Sequence, residues 1–308
     1  MKRHHRILVI CLMIMPLQPA IAADMAGFNF LRTHVGARPA ALAGAFTAID
    51  GDLHAIYFNP AGLASLETRS AGATYLNHVL DIQSGVIVVG QHFENVGTVG
   101  IGLNYIDYGS FDKTDKNGEK FGTFGANNIV MTATYGRTLI NNISAGIGLK
   151  YIRSVIDSYS SQAVAADIGF LYHAHFSENL NIGVSILHLG QSTSAFIDTK
   201  EDLPTQIVAG FSKKLAHLPL LFNANIYKYV DDDIQFAIGG EFTISEGLFL
   251  RLGYNSLGRD QKVGSDYDSI TGFSAGFGFH LKRYQLDYAF SSMGEVGSLN
   301  RITFSSSF

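Results

Sequence analysis

Apolar and small polar residues alternate with a period of two along most of the chain after residue 69. Ile143, Ala145, Ile147, Leu149 and Tyr151 fall on one side of an extended segment, with Ser144, Gly146, Gly148 and Lys150 on the other. Thr271 to Leu281 repeats the design: Phe273, Ala275, Phe277, Phe279 and Leu281 oppose Gly272, Ser274, Gly276, Gly278 and His280. Tyr284, Leu286, Tyr288 and Phe290 then oppose Gln285, Asp287, Ala289 and Ser291. This period means β-strands with two unlike faces. It predicts fourteen strands, near 70–78, 83–93, 97–108, 126–138, 143–153, 161–173, 180–188, 205–214, 220–229, 234–243, 247–255, 270–281, 284–291 and 299–308.

The second face decides what these strands build. A soluble β-sandwich would place Lys, Glu, Arg and Thr toward water. Here that face is mostly Gly, Ser, Asn and Ala, which suits a crowded lumen, while the apolar face with its terminal Tyr residues suits lipid. The predicted fold is all-β: a transmembrane antiparallel β-barrel spanning 70–308. The connections agree. If the first strand runs outward, every even-numbered connection is a short turn, from 94–96 through 282–283. The long connections 109–125, 189–204 and 256–269 all fall on the outward side and are polar and acidic, as are Asp231, Asp232 and Asp233. Pro204 and Pro219 open strands, where a missing N–H is tolerated.

Composition sharpens this picture. The 308 residues are 47% hydrophobic and only 16% charged, with 33 Gly, 22 Phe, 14 Tyr and no Trp. Low charge excludes a disordered chain, and a net charge of −4 lacks the basic face that nucleic acid requires. Met1 to Arg6 form a basic start, Ile7 to Leu17 an apolar run, and Ala20-Ile21-Ala22 a small-x-small cleavage pattern. Residues 1–22 are thus predicted to be a signal peptide. The single cysteine, Cys11, lies within it, so the remaining chain is expected to have neither disulfide nor thiolate chemistry.

Residues 23–69 do not alternate and are rich in Ala and Gly, which predicts a plug inside the barrel. Pro39 to Ala45 is helix-compatible, and Asn59-Pro60-Ala61-Gly62-Leu63 starts a turn in which Pro60 presets φ and Asn59 bonds the backbone ahead. Gly36-Ala37-Arg38-Pro39-Ala40-Ala41-Leu42-Ala43-Gly44-Ala45-Phe46-Thr47-Ala48, Asp50-Gly51-Asp52 and Tyr57-Phe58-Asn59-Pro60-Ala61-Gly62-Leu63-Ala64 together resemble the N-terminal signature of PorV/PorQ outer-membrane proteins. The Asn-Pro-Ala-Gly turn also resembles the plug of the wider FadL-like superfamily of fourteen-stranded barrels. Ala43 departs from that pattern, where Met or Gly is expected beside Gly44. The resemblance implies an outer-membrane location and a plug motif carried by Arg38, Gly44, Asp50, Asp52, Asn59, Pro60, Ala61 and Gly62. It implies one of two roles: a component of type IX-like secretion or surface attachment, or a FadL-like channel for uptake of hydrophobic small molecules. The outward loops are read as short and polar, with 189–203 contributing only Ala195, Phe196 and Ile197 as an apolar cluster, which argues mildly against a capture groove. A purely structural barrel is the third reading.

No nucleotide-binding loop, zinc-protease motif or nucleophile elbow occurs, so no enzyme activity and no cofactor are expected. His173 and His175 are read as sharing a strand face, but two His without a third ligand do not make a metal site. Asp231-Asp232-Asp233 reads as a solvated hairpin tip, since no calcium-loop spacing follows. Lys150, Asp167, Arg251, His280 and Asp287 are expected to face the lumen and to pair with plug residues such as Arg38 or Asp52, because an unpaired charge there is costly. The C-terminal Phe308 resembles the assembly signal read by the barrel-assembly machinery. Expected partners are outer-membrane lipid and lipopolysaccharide, that machinery, and either secretion proteins or a hydrophobic ligand.

Overall fold

The computed structural model describes residues 28–230, 232–261 and 269–308. The signal segment and the aspartates at 231, 266 and 268 lie outside the described residues.

Fourteen antiparallel strands close into one barrel. They are β1 (Ser70–Asn77), β2 (Gln83–Phe93), β3 (Gly97–Thr114), β4 (Lys120–Ile140), β5 (Ile143–Ile156), β6 (Tyr159–His173) and β7 (Leu180–Ser194). There follow β8 (Gln206–Lys214), β9 (Leu220–Tyr229), β10 (Gln235–Ser245), β11 (Leu248–Asn255), β12 (Phe273–Leu281), β13 (Tyr284–Ser292) and β14 (Ser298–Ser307). Each strand pairs with its sequence neighbours, and β14 returns to β1 in register from Ser70↔Ser307 to Asn77↔Asn300. Closure leaves no free sheet edge, which hydrocarbon would not tolerate.

The alternation sorts the two faces. Ile101, Leu149, Ile226 and Phe304 stand open on the outer surface, whereas Ser144, Lys150, Asn225 and Thr303 are buried within. The apolar band has no protein layer over it, so lipid covers it. No helix among the described residues is long and apolar enough to cross a membrane; the strands do so.

Five strands run further outward than the alternation predicts. β3 continues to Thr114, β4 begins at Lys120, and β5 to β7 likewise extend, so most of the predicted loop 109–125 is a hairpin ladder. Beyond the bilayer both faces of a strand meet water, so the period-two signal fades although the hydrogen bonds continue. The wall is therefore uneven: β4 runs 21 residues and β11 only eight.

Residues 28–69 lie within the lumen. They form the short helix α1 (Ala37–Ala41) and 3-10 turns at Asn29–Arg32, Leu53–Tyr57 and Pro60–Ser65. Phe28, Leu42, Phe46, Ile56 and Leu63 are almost wholly buried. The inward face supplies the room through glycine. A Cβ on Gly146 would land on the Pro60 backbone, and one on Gly169 on Asn59 Oδ1. Small residues at these positions let backbone lie against backbone.

Candidate functional site

The lumenal segment is held by wall side chains that bond its backbone. Ala37 N–H donates to Thr303 Oγ1 at 2.9 Å, and Arg301 Nε donates to the His34 carbonyl at 3.0 Å. Asn255 Nδ2 donates to Ala43 O at 2.9 Å, Asn225 Nδ2 to Gly44 O at 3.0 Å, and Ser185 Oγ to Phe58 O at 2.9 Å. A short irregular segment cannot satisfy its own backbone, so the wall does it. Ala43 and Gly44 both have positive φ, 53° and 82°. The left-handed backbone at Ala43 explains why a glycine suits that position, and its carbonyl is the one that Asn255 holds.

Asn59 caps the Pro60–Ser65 turn: its Oδ1 accepts from Ala61 N–H at 3.1 Å. Its Nδ2 donates to Thr47 O at 2.8 Å and to Phe170 O of β6 at 3.0 Å. One side chain thus joins the turn, a second stretch of the segment and the wall. Ala61 is buried, and the Gly62 carbonyl accepts from Gly51 N–H at 2.9 Å. Asp50 Oδ1 accepts from Asn181 at 3.0 Å.

Toward the turn side of the barrel sits a charge cluster. Arg38 Nε and Nη2 fork onto Glu241 at 2.8 and 2.7 Å, and Nη1 reaches Asp52 at 2.8 Å. Arg251, fully buried, donates to Glu241 at 2.6 Å and to Asp287 at 2.6 Å. Gly278 leaves room for that last pair, since a Cβ there would meet both side chains. Asp52 also caps the Leu53–Tyr57 turn through His54 N–H at 2.7 Å. Burial alone would raise the Asp52 carboxyl, but the His54 hydrogen bond and charge and then the Arg38 charge outweigh it and hold it well below the usual carboxylate range.

The predicted lumen charges are therefore distributed differently from the expectation. Arg38 and Asp52 pair with each other, and the wall partner of Arg38 is Glu241, which the sequence reading did not single out. Arg251 and Asp287 pair within the wall. Lys150 and Asp167 form a separate wall pair at 2.6 Å, and His280 lies against the Phe249 ring, 4.5 Å between centroids. Phe308 N–H donates to Arg69 O at 2.8 Å beside the closing β1–β14 seam. His173 ends β6 and His175 lies beyond it, so the two do not share a strand face. Asp232 is not simply solvated: Arg32 of the lumenal segment reaches it at 2.5 Å.

Above the segment, toward the outward side, lies a narrow cavity. Phe30, Leu31, Phe58, Val130, Leu187 and Val208 give it apolar walls, and Arg32, His34, Asn104, Lys150, His188 and Asn225 are among the polar residues that line the rest. His188 sits at a β-bulge where β7 gains a residue against β6, and both Leu187 and His188 turn inward. Its φ is 58°, a left-handed backbone that costs a non-glycine residue about 1–2 kcal/mol. The surrounding groups hold it there: His188 N–H donates to Asp167 Oδ1 at 2.9 Å, and its carbonyl accepts from Thr205 Oγ1 at 3.0 Å.

A second hollow lies on the outward rim, lined by Tyr108, Phe111, Phe124, Ile156 and Phe196. Phe111 and Phe124 face each other across the β3–β4 ladder and stack at 5.3 Å. Phe30 lines both this rim hollow and the inner cavity. The apolar groove that the loops alone did not offer is thus built by strand extensions. Sequence reading missed Asn225, Asn255, Glu241 and Arg301 as well, although each sits at an inward position of a strand it predicted.

No profile of a known protein family matches the chain, and no curated protein matches it in sequence. Solved structures match its fold. The Ralstonia pickettii toluene transporter TbuX superposes with a TM-score of 0.61 at 13% identity, covering 89% of this chain and 98% of that one. The Pseudomonas putida toluene transporter TodX gives 0.58 at 12% identity, covering 87% and 95%. A Pseudomonas aeruginosa FadL homologue gives 0.55 at 11%, covering 86% and 96%. Together with the lipid-facing band, this defines the class: the chain is a bacterial outer-membrane β-barrel. Within that class its fold is the FadL-like fourteen-stranded one.

Proposed function

We propose that the barrel is a channel for passive uptake of hydrophobic small molecules. The observation that carries this reading is a pair of neighbouring spaces, an aromatic hollow on the outward rim and a partly apolar cavity above the lumenal segment, with Phe30 lining both. A solute leaving water first gains contact with Phe111, Phe124 and Phe196, then passes Phe30 into the inner cavity. There the segment, fixed by Arg38 and Asn59, blocks straight passage. Onward movement requires the segment to shift or the wall to part. The likeness in fold to barrels described as toluene transporters supports this reading. The secretion reading draws on the Gly36–Ala64 motif alone, and no separate docking feature among the described residues adds to it.

The test is uptake of a radiolabelled monoaromatic hydrocarbon and a labelled fatty acid in cells lacking the barrel and in cells where it is restored. Restored uptake of either solute, reduced again by Phe30→Asp, supports the channel. Equal uptake with and without the barrel overturns it.

A further inference from the structure

The inner cavity is lined by a ring nitrogen, His188 Nε2, with nothing to bind. Resting on the uptake reading, we infer that the His188 ring is a hydrogen-bond donor selecting small apolar molecules that carry one neutral acceptor oxygen, such as a carbonyl or ether, over plain hydrocarbons.

The argument starts from the ring's other nitrogen. Lys150 Nζ lies 3.1 Å from His188 Nδ1 and 2.6 Å from Asp167 Oδ2. Beside that carboxylate Lys150 is an ammonium, and an ammonium only donates. His188 Nδ1 is therefore the acceptor, and the ring proton resides on Nε2. Every other polar group of His188 is satisfied, its N–H by Asp167 and its carbonyl by Thr205. Nε2 has no partner among the described residues. Arg32 Nε, Tyr57 Oη, Asn104 Oδ1 and Asn225 Oδ1 also lack partners, but they are sealed away from solvent, whereas Nε2 is not. The bulge that turns His188 inward thus presents a fixed N–H to the cavity.

The charge balance narrows the ligand further. Lys150 is neutralised by Asp167, and Arg32 by Asp232. The site offers a donor without a spare positive charge, so a neutral oxygen fits it and a carboxylate meets no free cation.

Purified barrel in lipid nanodiscs, titrated with acetophenone, ethylbenzene and benzoate, tests this. Empty nanodiscs supply the partitioning baseline. His188→Gly is the main variant because glycine tolerates the left-handed backbone; heat-modifiable gel migration confirms that it folds. His188→Asn keeps a donor in a residue that also tolerates this backbone. The wild-type to His188→Gly affinity ratio for acetophenone, divided by that for ethylbenzene, is expected to be roughly three to ten, the range for one hydrogen bond. His188→Asn is expected to recover part of it. Benzoate is expected to bind more weakly than acetophenone. A quotient near one, or benzoate binding as tightly as acetophenone, overturns the inference while leaving hydrocarbon uptake standing. If neither neutral compound binds the wild type, the uptake reading itself falls.

Discussion

Replacing Arg38 with Met should loosen the lumenal segment without unfolding the barrel. Arg38 makes three charge-assisted hydrogen bonds, two to Glu241 and one to Asp52. Its cluster holds two guanidinium groups against three carboxylates: Arg38 and Arg251 against Asp52, Glu241 and Asp287. Removing Arg38 leaves one against three. Breaking a buried pair from one side costs about 3–5 kcal/mol. Here Glu241 retains Arg251, Asp52 retains His54, and the Arg38 side chain is 18% exposed. An expected cost of about 2–4 kcal/mol allows for these. At about 1.4 kcal/mol per decade, opening of the segment should become roughly 30- to 1,000-fold more frequent. Hydrogen exchange read by mass spectrometry on peptides from residues 28–69, with strand peptides as the internal reference, reports this directly. Glu241→Gln should cost less, because it leaves two cations facing two carboxylates. Exchange in Arg38→Met within about threefold of wild type, or a larger effect from Glu241→Gln, would refute the electrostatic account of how the segment is held.

Other outcomes follow from the same geometry. Asn59→Ala should destabilise the segment by about 2–4 kcal/mol, through a lost cap and two stranded carbonyls, seen as faster exchange around 47 and 59–62. Gly169→Ala should cost about 1–3 kcal/mol through its clash with Asn59. The double variant should be scarcely worse than Asn59→Ala alone, and additive effects would contradict that contact. His34, in the lumenal segment, has its pKa lowered to about 4 by burial and then by the Arg301 charge. A released segment takes up a proton near pH 6.5 that the docked one refuses until about 4, so docking weakens as pH falls through that window, by up to about 3 kcal/mol. His34 keeps some exposure, which makes this an upper value; a bilayer conductance that rises on acidification in wild type but not in His34→Gln is the expected signature. Phe111→Asp should slow uptake several-fold while leaving gel migration unchanged, and unaltered uptake would exclude the rim hollow as the point of capture.

The membrane-embedded part of this protein is legible in its sequence because lipid on one side and a crowded lumen on the other impose opposite demands on alternate residues. Ile147 and Leu149 against Gly146 and Gly148 carry that signal without ambiguity. It fails where one environment gives way to another. Phe111 and Phe124 look like loop residues because water surrounds their ladder, yet they form the rim hollow. His188 is missed for a different reason: the bulge shifts the parity by one, so that Leu187 and His188 both point inward. Glu241 and Arg301 sit at inward positions that parity does identify, but partner choice depends on where an irregular segment crosses the lumen, and no period encodes that path.

The β1–β14 pairing joins the first and last strands of the barrel, and the segment it encloses precedes β1 directly. Once that seam is zipped, the stretch ahead of it can leave only through an open end of the barrel, giving up the wall side chains that bond its backbone but none of the ladder. Contents and wall are therefore separable: residues 28–69 can loosen from the inner face while all fourteen strands stay joined, as a stopper leaves a bottle whose glass is whole.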